Sequence, residues 1–132
     1  MADIKPVNPW TWQEQFGFSQ AIEVSGAKRV LYCAGQTSVD SEGTPMHPRD
    51  MEQQIGQALD NLETILIQAQ LTLADVVRLN YYTTDVEAFM KAGAMLGARL
   101  RAAGCIPSAT LLGVSRLFHP DILVEIEATA VA

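Results

Sequence analysis

The sequence predicts one α+β domain, a mixed β-sheet with two helices on one face. Three observations carry this prediction. Strand-like and helix-like segments follow the order β-β-α-β-α-β-β. The last strand is apolar at every second residue, so one of its faces is made for packing. The chain has 132 residues, 48% hydrophobic and 18% charged, which suits a single domain over residues 1–132 with one core and argues against disorder.

The opening residues, up to Gln15, contain Pro6, Pro9, Trp10 and Trp12 and read as an irregular arm held by its aromatics. Residues 18–24 read as the first strand. Residues 29–36 read as the second, through the run Val30-Leu31-Tyr32-Cys33-Ala34. The link Ser25-Gly26-Ala27-Lys28 is short enough to make these two a hairpin. A loop rich in Ser, Asp, Gly and Pro covers residues 37–48. Met51, Ile55, Ala58, Leu59, Leu62, Ile65, Leu66 and Ala69 fall at helical spacing and predict a helix over residues 50–70. Thr72-Leu73-Ala74-Asp75 resembles a capping turn, with Asp in place of the usual Glu or Gln.

Residues 76–84 alternate Leu79, Tyr81 and Thr83, which predicts a third strand. Val86, Phe89, Gly93, Leu96, Leu100 and Ala103 then step by threes and fours and predict one unbroken second helix. Gly93 and Gly97 each cost that helix about 1 kcal/mol of propensity, which implies close packing on a neighbour. Gly104 stands where a helix stops. Residues 109–117 and 122–131 read as strands that close the sheet as a second hairpin.

On the last strand Ile122, Val124, Ile126, Ala128 and Ala130 point one way, and Leu123, Glu125, Glu127, Thr129 and Val131 the other. The first set packs under the helices. The second set mixes carboxylates with aliphatics on a face that two helices leave uncovered, which predicts self-association and a small-molecule site at the interface. Glu125 and Glu127 are ~6.7 Å apart by strand rise. Such a pair can serve acid–base chemistry in a partly dry cleft. It can equally be two sheet-face carboxylates, paired to Arg or hydrated.

Other classes find little support. The net charge is −6 and the nine Lys and Arg are scattered, so no basic surface invites nucleic acid. Cys33 and Cys105 are far apart, fit no zinc or CxxC spacing, and read as buried small hydrophobes. His47 and His119 lie in turn-like segments, read as exposed, and lack ligand spacing, so no metal is expected. No glycine-rich phosphate motif implies a nucleotide cofactor, and none is expected. No signal peptide or apolar run of ~20 residues is present, so no membrane is expected and the cytoplasm is the default location.

Five motifs in order resemble the Rid family (YjgF, reactive intermediate deaminases, once labelled translation inhibitors or endoribonucleases). They are Phe18-Ser19-Gln20-Ala21, Cys33-Ala34-Gly35-Gln36, Ala58-Leu59-Asp60-Asn61-Leu62, Asp75-Val76-Val77 and Val124-Glu125-Ile126-Glu127-Ala128. The resemblance implies a chorismate-mutase-like fold and a homotrimer with a ligand cleft between each pair of subunits. It implies water attack on an enamine or imine, giving a 2-keto acid and ammonia without metal or cofactor. Glu125 matches the glutamate that handles water, and Glu127 is read as structural. Phe18, Gly35, Gln36, Tyr82, Ser108, Ala109 and Thr110 match substrate-binding positions, Tyr82 as an aromatic from the adjacent subunit.

Two positions depart from the family pattern. Phe18 replaces a tyrosine, and Ala109, in Pro107-Ser108-Ala109-Thr110, replaces the arginine that clamps the substrate carboxylate. Losing charge-assisted bonds of about 1.5–3 kcal/mol each weakens binding of a small 2-imino acid at least tenfold. The expected ligand is therefore bulkier or uncharged, with the Ser108 and Thr110 hydroxyls in place of the guanidinium. Three function classes follow: an imine or enamine hydrolase, a small-molecule binder of the same fold without turnover, and, disfavoured by the acidic charge, a nuclease or translation inhibitor.

Overall fold

A computed structural model describes residues 2–132. Its strands are β1 (Asp3–Val7), β2 (Ala21–Ser25), β3 (Val30–Tyr32), β4 (Val76–Thr83), β5 (Ser108–Gly113) and β6 (Val124–Val131). Its helices are α1 (Met51–Gln68), α2 (Val86–Lys91) and α3 (Gly93–Ala102), with short 3-10 turns at Trp12–Phe16 and Leu73–Asp75. The main sheet is mixed, in the order β3-β6-β4-β5. β6 runs antiparallel to both β3 and β4, while β5 runs parallel to β4. The α+β class and the mixed sheet with helices on one face stand as read from the sequence.

The core forms where period-2 and period-3.6 patterns meet. Ile55, Ala58, Leu59, Leu62 and Leu66 of α1 are fully buried. So are Val124, Ile126 and Ala130 of β6 and Leu79 of β4. A fully buried Leu or Ile contributes about 1.5–3 kcal/mol, so this seam alone outweighs the propensity cost of any one glycine. Asp50 caps α1 by accepting from the Gln53 backbone N–H at 3.1 Å. The turn before β4 is a capping box, with Asp75 accepting from the Thr72 N–H at 2.9 Å. Gln54 is completely buried, and its amide donates to the carbonyls of His47 (3.0 Å) and Asp121 (2.7 Å). It also accepts from the Leu123 N–H at 2.8 Å, so one helix side chain fixes the entry to β6.

Several predicted elements differ. The opening arm contains a strand: β1 pairs antiparallel with β2, from Asp3 opposite Ser25 to Val7 opposite Ala21. All five β1 residues are exposed, so no apolar alternation announced it. β2 and β3 therefore form no hairpin with each other; β3 pairs with β6 instead. The closing pair is no hairpin either, because β6 inserts between β3 and β4 and β5 lies on the far side of β4. β5 also ends at Gly113 rather than at residue 117. The second helix is broken at Ala92, directly before Gly93, where a residue without Cβ holds the turn least well. His47 and His119 are half-buried rather than exposed.

Candidate functional site

The strand predicted over residues 29–36 is interrupted. Cys33 donates its N–H to Ala128 O at 2.9 Å. The ladder resumes at Gln36, whose N–H donates to Ile126 O (2.7 Å) and whose carbonyl accepts from the Ile126 N–H (2.8 Å). Three steps from Cys33 to Gln36 thus face two steps on β6, which is a bulge with one extra residue. Gly35 sits in the bulge, against the Glu125 side chain. A Cβ at Gly35 would lie 1.9 Å from Glu125 Oε2, so only glycine leaves the carboxyl room there. The segment after the bulge is pinned by Asn61, whose amide donates to the carbonyls of Thr37 and Val39, both at 3.0 Å.

β4 presents Arg78, Asn80 and Tyr82 to the open face, opposite the buried Leu79, Tyr81 and Thr83. Tyr82 is the register partner of Glu125, and Asn80 of Glu127. The Tyr82 hydroxyl and the Asn80 amide both donate to Glu127 Oε1 at 2.9 Å. Arg78 donates to Asn80 Oδ1 (3.0 Å) and to Thr110 Oγ1 (2.6 Å). The two carboxylates consequently differ. Glu127 is held by two donors, whereas Glu125 has no side-chain hydrogen bond among the described residues. Burial, and then the charge of Glu127, push the Glu125 carboxyl above the usual carboxylate range. The Tyr82 hydroxyl is likewise raised, first by its bond to Glu127.

The expected site residues fall into two groups. Gly35, Gln36, Glu125 and Tyr82 meet at the start of β6, with the Gln36 amide turned back onto its neighbour Ala34 O at 3.2 Å. Ser108 and Thr110 also face the open side, but their hydroxyls are engaged, Ser108 donating to Val77 O (3.1 Å) and Thr110 accepting from Arg78. Ala109 alternates with them and points to the helix side. There it lines a cavity of about 600 Å³ with Phe18, Tyr81, Phe89 and Leu111. Ala109 and Glu125 therefore lie on opposite faces of one subunit's sheet, and the two hydroxyls do not stand beside the Ala109 methyl.

Arg78 and Asn80 complete the open-face network and were not singled out as site residues, although their alternation with Leu79, Tyr81 and Thr83 carries the signal. Trp12 is exposed, and its ring packs edge-on against Phe18 at 5.8 Å between centroids. Cys33 and Cys105 are both buried, and burial pushes the Cys105 thiol up to about 12. That suits the reading of both as apolar fillers.

A mixed sheet with helices on one face is the fold that this chain shares with its structural neighbours. The family model described as Endoribonuclease L-PSP matches residues 13–132, and the chain belongs to that family, the YjgF or Rid family. A Rid family protein, YyfB, from Yersinia pestis superposes with a TM-score of 0.87 at 34% identity, covering 98% of both chains. A RutC family protein of Pyrococcus horikoshii is 32% identical over 126 residues, 96% of this chain and 89% of the relative. The 2-iminobutanoate/2-iminopropanoate deaminase of Escherichia coli is 30% identical over 103 residues, 77% of this chain and 79% of the relative. Among the described residues no helix is long and apolar enough to cross a membrane.

Proposed function

We propose that this chain hydrolyses a reactive enamine or imine in a cleft between subunits of a homotrimer, with Glu125 handling water. The observation that carries the reading is the state of Glu125: partly buried, raised in pKa, unpaired, and held against the Gly35 backbone. In its ionised form a carboxyl poised in this way takes a proton from water as the water adds to the C=N carbon. It gives that proton to nitrogen to complete the carbinolamine C(OH)NH2, then takes the hydroxyl proton and passes it to nitrogen as the C–N bond breaks, so that C=NH and H2O become C=O and NH3. The similarity to the Escherichia coli iminobutanoate deaminase supports the same chemistry.

Two features support assembly. The open face leaves Tyr32 80% and Leu112 50% exposed, a large apolar area for an isolated subunit. Ala109 and Glu125 occupy opposite faces, so a cleft that used both would be closed by two subunits. Sedimentation should give three times the chain mass at micromolar concentration; a monomer would remove the cleft.

The absence of the carboxylate-clamping arginine at position 109 favours a second reading, a binder without turnover. One experiment separates them. Imines formed in situ by an amino-acid oxidase, with side chains of graded size, are followed by keto-acid release. A hydrolase accelerates release for at least one of them, and Glu125→Gln lowers kcat by about 100-fold or more with fold and assembly kept. Acceleration that survives Glu125→Gln, or none with any imine, defeats the hydrolase reading.

A further inference from the structure

We propose that the cavity behind Ala109 binds a small carboxylate with an apolar body, and that Arg101 holds the carboxylate. The inference concerns binding alone and does not require turnover at Glu125.

The volume of about 600 Å³ is that of a typical small-molecule site. Its walls are the rings of Phe18, Tyr81 and Phe89 and the side chains of Leu96, Leu100 and Leu111. Three small residues keep it hollow: Ala109 on β5, and Gly93 and Gly97 on α3. A Cβ on Gly93 would meet nothing within 4 Å, so the glycine faces open space. Gly93, unfavourable for propensity, is thereby explained by space, whereas Gly97 is explained by the close approach of the Arg101 side chain.

The charge at this cavity is specific. Arg99 and Arg101 stand two residues apart on α3. Arg99 is fully engaged, donating to Asp60 (2.6 Å), Glu63 (2.8 Å) and Gly56 O (3.1 Å). Arg101 has no ion pair and no side-chain hydrogen bond among the described residues. Its guanidinium nonetheless has a seat: a Cβ would lie 3.1 Å from Nη1 at Gly17 and 3.2 Å from it at Gly97. Gly17 has φ +75°, so glycine is doubly required there.

A second donor lacks an acceptor nearby. Arg101 also lines an adjoining hollow of about 240 Å³ together with Gln13, Gly17 and Phe18. Gln13 is 1% exposed, and its Nε2 finds no acceptor within the protein. Both groups are donors, and one carries a positive charge. Their shared complement is an acceptor-rich anion, and a carboxylate matches the planar guanidinium bidentately. The guanidinium at the cavity edge and the apolar walls together select this ligand class by charge as well as by size.

The test titrates the full chain, at low salt, with 3-phenylpropanoate and with its neutral amide, 3-phenylpropanamide, by calorimetry. The carboxylate should bind about tenfold tighter or better. Arg101→Gln, at an exposed side chain without protein partners, should leave the fold intact and bring the two affinities together. Ala109→Leu and Gly93→Leu, which fill the cavity from strand and helix, should weaken both probes. Glu125→Gln should leave probe binding unchanged, which separates this site from the proposed chemistry. Equal affinity for acid and amide, a preference that survives Arg101→Gln, or no saturable binding of either probe overturns the proposal. So does loss of probe binding in Glu125→Gln, which would place the probe at the open face.

Discussion

The same strands build both faces of the sheet, and alternation gives those faces different chemistry. On the open face polar groups are used up against one another: Arg78, Asn80, Tyr82, Thr110 and Glu127 form one connected set of hydrogen bonds. Of the two carboxylates there, Glu125 is the one left out, and it is the one pushed toward its neutral form. On the helix face the strands are apolar and packed, except below Ala109, where a hollow remains with Arg101 beside it. The open face thus keeps the Glu125 carboxyl free, and the helix face keeps the Arg101 guanidinium free beside a hollow. A face can be rigid around a single unsatisfied group because everything next to it is satisfied.

The largest effect is expected on the helix face, at the strand position beside Ala109. Leu79 is completely buried, between Ala109 of β5 and Ala128 of β6. Leu79→Ala should destabilise the chain by about 2–5 kcal/mol, read from the midpoint of chemical unfolding, because two flanking alanines cannot collapse into the gap. A loss under ~1 kcal/mol would mean that the hollow below Ala109 relaxes into the vacated space, and that its emptiness is not held by the core.

A smaller effect distinguishes position from charge at Glu125. Gly35→Ala keeps the carboxyl but removes its seat, since the new methyl carbon would overlap Oε2 at 1.9 Å. Keto-acid release should fall by about tenfold or more, in line with the loss from misplacing a reacting group by about an ångström. Unfolding should change much less than in Leu79→Ala, because a Glu side chain can swing away. Unchanged turnover would mean that the bulge is only a feature of β3 pairing.

Much of this arrangement is legible in the sequence, and the limits have physical causes. The split of β6 and the residues leading into it, with a buried Ile122-Val124-Ile126-Ala128-Ala130 row and a mixed opposite row, is a pure period-2 signal, and each residue of the first row is at most 2% exposed. α1 and its Asp50 cap are equally local. Strand partners are not. β3 pairs with a strand about a hundred residues away, and nothing in the run Val30-Leu31-Tyr32 distinguishes that partner from β2. β1 escapes notice because a two-stranded exposed ribbon needs no apolar face. At the site, Glu125 and Gly35 follow from motif resemblance, but the bulge that joins them depends on register. The side on which Ala109 lies follows from its pairing with Leu79. Arg101, in a helix, reads as one more solvated charge until Gly17 is brought beside it by the fold.

The smallest effect is a shift in pH dependence, and it tests whether the two glutamates communicate. Burial raises the Glu125 carboxyl most, and the neighbouring charge of Glu127 adds to it. A carboxyl with a raised folded-state pKa favours folding while it is protonated. Stability is therefore greatest below the ordinary carboxylate range and falls as pH rises through that range to the folded value. Glu127→Gln removes the second cause and leaves the first. The fall in stability should become shallower, and the acid limb of the rate profile should move to lower pH while staying above that of an exposed glutamate. Loss of the acceptor for Tyr82 and Asn80 offsets part of this gain at every pH, so the diagnostic is the slope rather than the height of the curve. Unfolding midpoints and keto-acid release measured from pH 4 to pH 8 give both readings. Parallel curves for wild type and Glu127→Gln would show that burial alone sets Glu125, and that the open-face network serves geometry only.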